Sequence, residues 1–197
     1  IPKSKIFVVP NGGNYSFPPV RKAQGEKLKI LYLSNLIPSK GYLDLVYAFL
    51  GLEKYYPKID LILAGSWFSG KDRSSLKQLL QSNPTAPICV LETVMGKEKE
   101  DLLKSSDIFV FPTYYIHEGH PWVIVEAMAA GLPIITTNHA AISESVINGF
   151  NGFLVNKNTP LEIAEKLEYL IENPQVRIKM GENSRIIYEE KFTEEIM

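Results

Sequence analysis

The stretch DIFVFPTYYIHEGHPWVIVEAMAAGLPIITT, residues 107–137, decides the fold. It opens on a short apolar run, 107–111, and passes through a turn that begins with Pro112. It then continues as an apolar segment of helical length, 121–130, and closes on a second apolar run, 133–137. Runs of four to eight apolar residues bounded by turn signals read as strands, and the longer segment between them reads as a helix. Neither strand alternates polar with apolar residues. Both therefore belong in a parallel sheet covered by helices on its two faces.

The same alternation extends in both directions. Upstream, 28–34 (LKILYLS) reads as strand, 43–52 as helix, 60–64 (DLILA) as strand, 74–80 as helix, 88–91 as strand and 97–104 as a short helix. Downstream, 143–147 reads as a helical turn, 152–155 as a last strand, 160–173 as an amphipathic helix and 175–190 as the final helix. On the amphipathic helix, Leu161, Ala164, Leu167, Leu170 and Ile171 share one face at helical spacing. The expected fold is α/β, a doubly wound Rossmann-like parallel sheet of about six strands with helices on both faces. A chain of 197 residues suits one core, so residues 1–197 are expected to form a single domain. No internal repeat or low-complexity tract interrupts the pattern.

Lys and Arg number 21 against 22 Asp and Glu, so the chain lacks the broad positive field of a nucleic-acid binder, and nucleic acid is not an expected partner. No apolar run approaches about 18 residues, so no transmembrane helix is expected, and residues 1–20 lack the basic-then-apolar order of a signal peptide. The single cysteine, Cys89, has no partner for an internal disulfide, and its setting, Pro87-Ile88-Cys89-Val90-Leu91, reads as a buried strand in a reducing compartment. The chain starts at Ile1 and already reads there like the interior of a protein, so an excised piece is expected.

In open α/β sheets ligands bind beyond the carboxyl ends of the strands, which directs attention to the loops 34–41, 65–70, 92–96, 112–121 and 137–144. The first lacks both the G-x-G-x-x-G of dinucleotide folds and the Walker A arrangement. It does place Lys40 near a helix start, where an ammonium and backbone N–H groups can hold an anion together. In the fourth loop Glu118 and Glu126 bracket a helix start. Pro121 suits the first helical position, and Gly119 allows close approach of a bulky ligand. Glu126 lies among apolar residues and needs a partner if buried; a vicinal diol is one. The bland alternatives are a capping acid at 118, an outward-facing glutamate at 126 and a solvated lysine at 40.

The segment from Glu118 to Ile135 resembles the E-x7-E region of retaining glycosyltransferases of the group-one, family-four type. Other stretches share the likeness: Val9-Pro10-Asn11-Gly12 is similar to the lead-in to that family's C-terminal domain, Ser39-Lys40-Gly41 to its phosphate-lysine loop, and Leu63-Ala64-Gly65 to its second strand end. Residues 107–113 match the strand feeding the motif and 148–155 a late turn. The resemblance spans nearly the whole chain. It implies one half of a GT-B enzyme, the donor-binding C-terminal domain, with the N-terminal acceptor domain absent. It further implies that Glu126 accepts hydrogen bonds from the donor ribose and that Glu118, as the catalytic residue, faces the hydroxyls of the transferred sugar. The backbone of Gly119 and His120 would meet the diphosphate, Lys40 would neutralise it, and Val94, after the third strand, is placed beside the base.

By the same resemblance the ligand is a nucleotide sugar as donor substrate, with no cofactor and no metal. The acceptor is a sugar or lipid-linked sugar held by the missing domain, and the full-length protein is cytoplasmic, peripheral at the inner membrane face. The sequence holds no D-x-D pair, and His117, His120 and His139 do not form a helical ligand set. Two positions depart from the family. Ser34-Asn35 stands where Gly-Arg is common, removing a second cation, and His120 replaces an aromatic, so it either packs against the loop or touches phosphate. A sugar-nucleotide epimerase, a phosphorylase domain of the same plan, or a non-catalytic nucleotide-binding module are the competing readings.

Overall fold

The computed structural model describes residues 10–17 and 27–196. Of the resembling stretches, Val9 lies outside them, as does the start of the chain. The apolar runs form six strands: β1 (Leu28–Leu33), β2 (Ile59–Ala64), β3 (Ile88–Leu91), β4 (Ile108–Phe111), β5 (Ile134–Thr137) and β6 (Gly152–Val155). The segments between and after them form α1 (Tyr42–Leu52), α2 (Gly70–Gln81), α3 (Gly96–Ser105), α4 (Trp122–Ala129), α5 (Pro160–Glu172) and α6 (Pro174–Lys191). Short 3-10 turns occupy Pro38–Lys40 and Ile142–Glu144.

All the strands pair in parallel, in the order β3-β2-β1-β4-β5-β6. Right-handed crossovers that run outward from β1 in one direction and from β4 in the other put helices on opposite faces. Accordingly α1 packs on α5, whereas α4 packs on α6. The strands that lie innermost carry the driving force. Ile108, Phe109, Val110 and Phe111 of β4 are all fully buried, as are Ile30, Leu31 and Tyr32 of β1. Each such side chain contributes roughly 1.5–3 kcal/mol, an upper estimate because unfolded chains already bury some apolar surface.

Polar side chains finish the corners. Arg185 of α6 donates from Nη1 to the Ala129 carbonyl at 2.5 Å, meeting an otherwise open acceptor at the end of α4. Buried Asn151 accepts from the Ile147 N–H at 2.7 Å and donates to the Ser145 carbonyl at 3.1 Å, fixing the turn that leads into β6.

Four expectations change. Cys89 is exposed, not buried, because β3 is an edge strand and, among the described residues, no element covers that part of its surface. Leu161 is exposed at 81%, and the buried stripe of α5 is Ile163, Leu167 and Leu170; at 3.6 residues per turn Leu161 falls on the far side of the helix from all of these, so it meets solvent while Ile163 in the same turn is buried. Helix α2 begins earlier than residue 74, since Ser69 accepts from the Asp72 N–H at 3.2 Å and caps it. Pro121 is the N-cap, extended at φ −69° and ψ 121°, and α4 starts one residue later.

Candidate functional site

The sheet reverses its winding between β1 and β4, and the loops leaving these two strands clasp each other. Gly41 sits in the left-handed region at φ 81°, and a Cβ there would overlap the Pro112 carbonyl oxygen, so only glycine lets the loops approach this closely. The Tyr114 N–H donates to the Ser39 carbonyl at 2.8 Å, tying the first loop to the fourth. On the other side Gly65 is equally confined: a Cβ would overlap the Ser34 carbonyl, and the Leu36 N–H donates to Ser66 at 2.7 Å. Three strand-end loops are thereby locked into one surface at the position where doubly wound sheets take ligands.

Lys40 ends the 3-10 turn on this surface. Its Nζ lies 3.4 Å from Glu118 Oε2, with side-chain exposures of 16% and 10%. The ammonium also sits 5.3 Å from the Tyr115 ring centre and 5.7 Å from that of Phe111. Thr113 Oγ1 donates to the same Glu118 oxygen at 3.1 Å. Glu118 is therefore not a helix cap, and α4 has no side-chain cap. Chemically, the pair offers a confined cation able to meet an anionic group and a carboxylate able to accept from hydroxyls. Asn35, where the resemblance would place a second cation, is exposed.

The approach to α4 holds Gly119 and His120. Gly119 is exposed, with no atom within 4 Å of a Cβ built there, so open space lies before the backbone; its carbonyl accepts from the Ala141 N–H at 3.3 Å. The His120 ring stacks on Phe192 with centroids 5.3 Å apart, and its Nε2 is 2.5 Å from Ser145 Oγ. Its Nδ1 is buried without a hydrogen-bond partner among the described residues, and its carbonyl accepts from Asn11 Nδ2 at 2.5 Å. Burial holds the imidazole below its ordinary pKa, with Glu144 pulling weakly the other way. The ring is engaged within the protein, leaving the main chain as what this residue presents outward. Pro121 has no N–H, so Trp122 and Val123 supply the first donors of the helix proper.

Glu126 lies one helical turn further along α4 and is 5% exposed. Its need for a partner is met within the chain: Lys99 of α3 places Nζ 2.5 Å from Oε1. Tyr15 approaches from the segment 10–17, and its phenol is pushed well above the ordinary tyrosine range, by burial first and then by the charge and hydrogen bonding of Glu126. Neither Lys99 nor Tyr15 stands out in the sequence. The only available signal was that a buried glutamate must be paired. Val94 is 7% exposed and belongs to the core beneath the β3–α3 connection. The structure thus groups Lys40 with Glu118, and Glu126 with Lys99 and Tyr15, on either side of the start of α4. Among the described residues no group of three or more His, Cys, Asp or Glu could hold a metal ion, and no helix is long and apolar enough to cross a membrane.

Residues 16–186 match the family model described as glycosyl transferases group 1. The capsular polysaccharide biosynthesis glycosyltransferase CapM of Staphylococcus aureus is 31% identical over 180 residues, covering 89% of this chain and 45% of CapM. Among solved structures, Anabaena HepE in complex with UDP-glucose superposes with a TM-score of 0.73 at 25% identity, over 85% of this chain and 45% of that one. The C-terminal domain of the group 1 protein LpcC from Francisella tularensis shares the fold at a TM-score of 0.75 and 23% identity, over 86% of this chain and 88% of that domain. The chain spans about half the length of the curated relatives it matches. Matched over most of its length, and folded as one Rossmann-like half of the GT-B plan, the chain belongs to the group 1 glycosyl transferases.

Proposed function

We propose that this chain is the donor-binding half of a glycosyltransferase, gripping a nucleoside-diphosphate sugar between the Lys40–Glu118 pair and Glu126. The observation that carries the reading is the placement of a confined cation and two carboxylates around the uncapped start of α4, at the switch point of the sheet. In the reaction the bond from the anomeric carbon to the diphosphate oxygen breaks, and a bond forms to an acceptor hydroxyl oxygen, whose proton is released. Charge gathers on the departing diphosphate. In this reading Lys40 and the first N–H groups of α4 offset it, in a metal-independent, cofactor-free transfer. Glu118 holds hydroxyls of the transferred sugar and Glu126 those of the ribose.

Retention at the anomeric carbon follows from the resemblance to the E-x7-E enzymes. A role in polysaccharide or glycoconjugate synthesis is supported by the name of CapM. The acceptor, a sugar or lipid-linked sugar, would be held by a further domain, in a protein placed in the cytoplasm against the inner membrane face. HepE is solved with UDP-glucose, which makes a uridine donor the first to try.

The test is calorimetric titration of the chain with UDP, GDP and ADP, repeated on Glu126→Ala. One nucleotide should bind, and the variant, folded by its melting curve, should bind it about ten- to a hundred-fold more weakly, the range expected for losing a hydrogen bond to a charged group. Equal binding by Glu126→Ala, or no binding of any nucleotide at millimolar concentration, would count against the reading.

A further inference from the structure

Glu126 is held by a partner that the ribose contact does not require. Lys99 Nζ meets Oε1 at 2.5 Å, the carboxylate is almost wholly buried, and the lysine itself remains about a third exposed. The pair joins the first half of α3 to the second turn of α4. A carboxylate offers about four lone-pair positions on two oxygens, so one that meets the Lys99 ammonium and the Tyr15 phenol still keeps acceptor capacity for a ligand. Take the ammonium away and a buried carboxylate lacks its counter-charge, a state relieved by taking up a proton or by turning towards water. Either change removes the charge-assisted acceptor that a ribose hydroxyl would use. Tyr15, the other neighbour, brings a phenol and cannot replace the positive charge.

We propose that Lys99 is a positioning residue for nucleotide recognition: it supplies the counter-charge of Glu126 and fixes one carboxylate oxygen, so that the rest of the group is aimed at the ribose hydroxyls. This inference rests on the reading of Glu126 given above. Lys99 acts through Glu126 and does not itself touch the nucleotide, so its removal should be felt only by ligands that carry the hydroxyl.

The chain and its Lys99→Met, Lys99→Arg and Glu126→Gln variants are titrated calorimetrically with UDP and 2′,3′-dideoxy-UDP, which lacks both ribose hydroxyls, or the corresponding guanosine or adenosine pair if that base is the one bound. Melting curves confirm folding, and Lys99→Gln replaces the methionine variant if the latter does not fold. Lys99→Met is expected to weaken the ribonucleotide about ten-fold or more while leaving the dideoxynucleotide nearly unchanged, and Lys99→Arg should keep most of the preference. Equal weakening of both ligands would assign Lys99 a structural role only and overturn the proposal, as would no weakening of either. If Glu126→Gln erases the ribose preference and Lys99→Met does not, the positioning role fails alone. If Glu126→Gln keeps the full preference, or the unaltered chain shows none, the ribose reading fails and carries this inference with it.

Discussion

Lys40 and Glu118 meet at 3.4 Å although they lie on loops leaving different strands, β1 and β4, and the contact is closed over by the rings of Tyr115 and Phe111. An ion pair that is mostly shielded yet close to open space before Gly119 is suited to exchanging partners, the lysine passing from carboxylate to phosphate. Lys40→Met is expected to weaken UDP about ten-fold and uridine hardly at all, because only the diphosphate carries the charge the lysine meets. Parallel calorimetric titrations with the two ligands check this; equal losses would remove Lys40 from the phosphate site.

Gly41 supplies a stability prediction. Gly41→Ala forces a left-handed backbone on a residue with a Cβ and drives that carbon onto the Pro112 carbonyl. A loss of about 2 kcal/mol or more in urea unfolding is expected, with weaker nucleotide binding as the two loops part. Gly51, inside α1 with open space around its Cα, is the contrast: Gly51→Ala should stabilise by about 0.5–1 kcal/mol.

His120 makes stability depend on pH in a defined sense. Burial lowers its folded pKa below the 6.5 of the unfolded chain, and protonation would add a buried N–H at Nδ1 with no acceptor among the described residues. Between those two values the unfolded state binds more protons than the folded one, so this contribution is complete above about 6.5 and is lost as pH falls through the window beneath it. Urea unfolding of the chain and of His120→Phe, at about pH 7.5 and about pH 5.5, should show a smaller drop for the variant. An identical drop would mean that other groups set the dependence.

Cys89 should react with a thiol reagent in the folded state. Its exposure on β3 predicts one equivalent of modification without denaturant, read by absorbance or mass. Protection until unfolding would place the residue inside.

Strand identity was legible because runs such as DIFVF and LPIITT need cover on both faces whatever their neighbours. Strand position was not. Nothing in ICVL says that β3 lies at an edge, and Cys89 was misplaced for that reason. Helical spacing located α5 but not the centre of its buried face, which runs through Ile163, Leu167 and Leu170 and turns Leu161 to water. At the candidate site, Glu118 and Lys40 stand out because each carries charge near a helix start, and Glu126 because it lies among apolar residues. Lys99 and Tyr15 do not, being 27 and 111 residues from Glu126 and brought to it only by the packing of α3 and the segment 10–17 on α4. The side chain of His120 is likewise explained by distant residues, Ser145 and Phe192.

The strand order has a consequence for how this molecule can vary. Lys40, Glu118 and Glu126 all follow the two innermost strands, β1 and β4, whereas β3 and β6 form the margins. The turns that enter these marginal strands are therefore free to drift: the one at 82–87 before β3, with exposed Ser82, Pro84 and Thr85, can take insertions, tags or new surface chemistry without touching Lys40, Glu118, Glu126 or its partner Lys99. Diversity among such domains should collect along the rim of the sheet, and an engineer wishing to attach cargo should begin there.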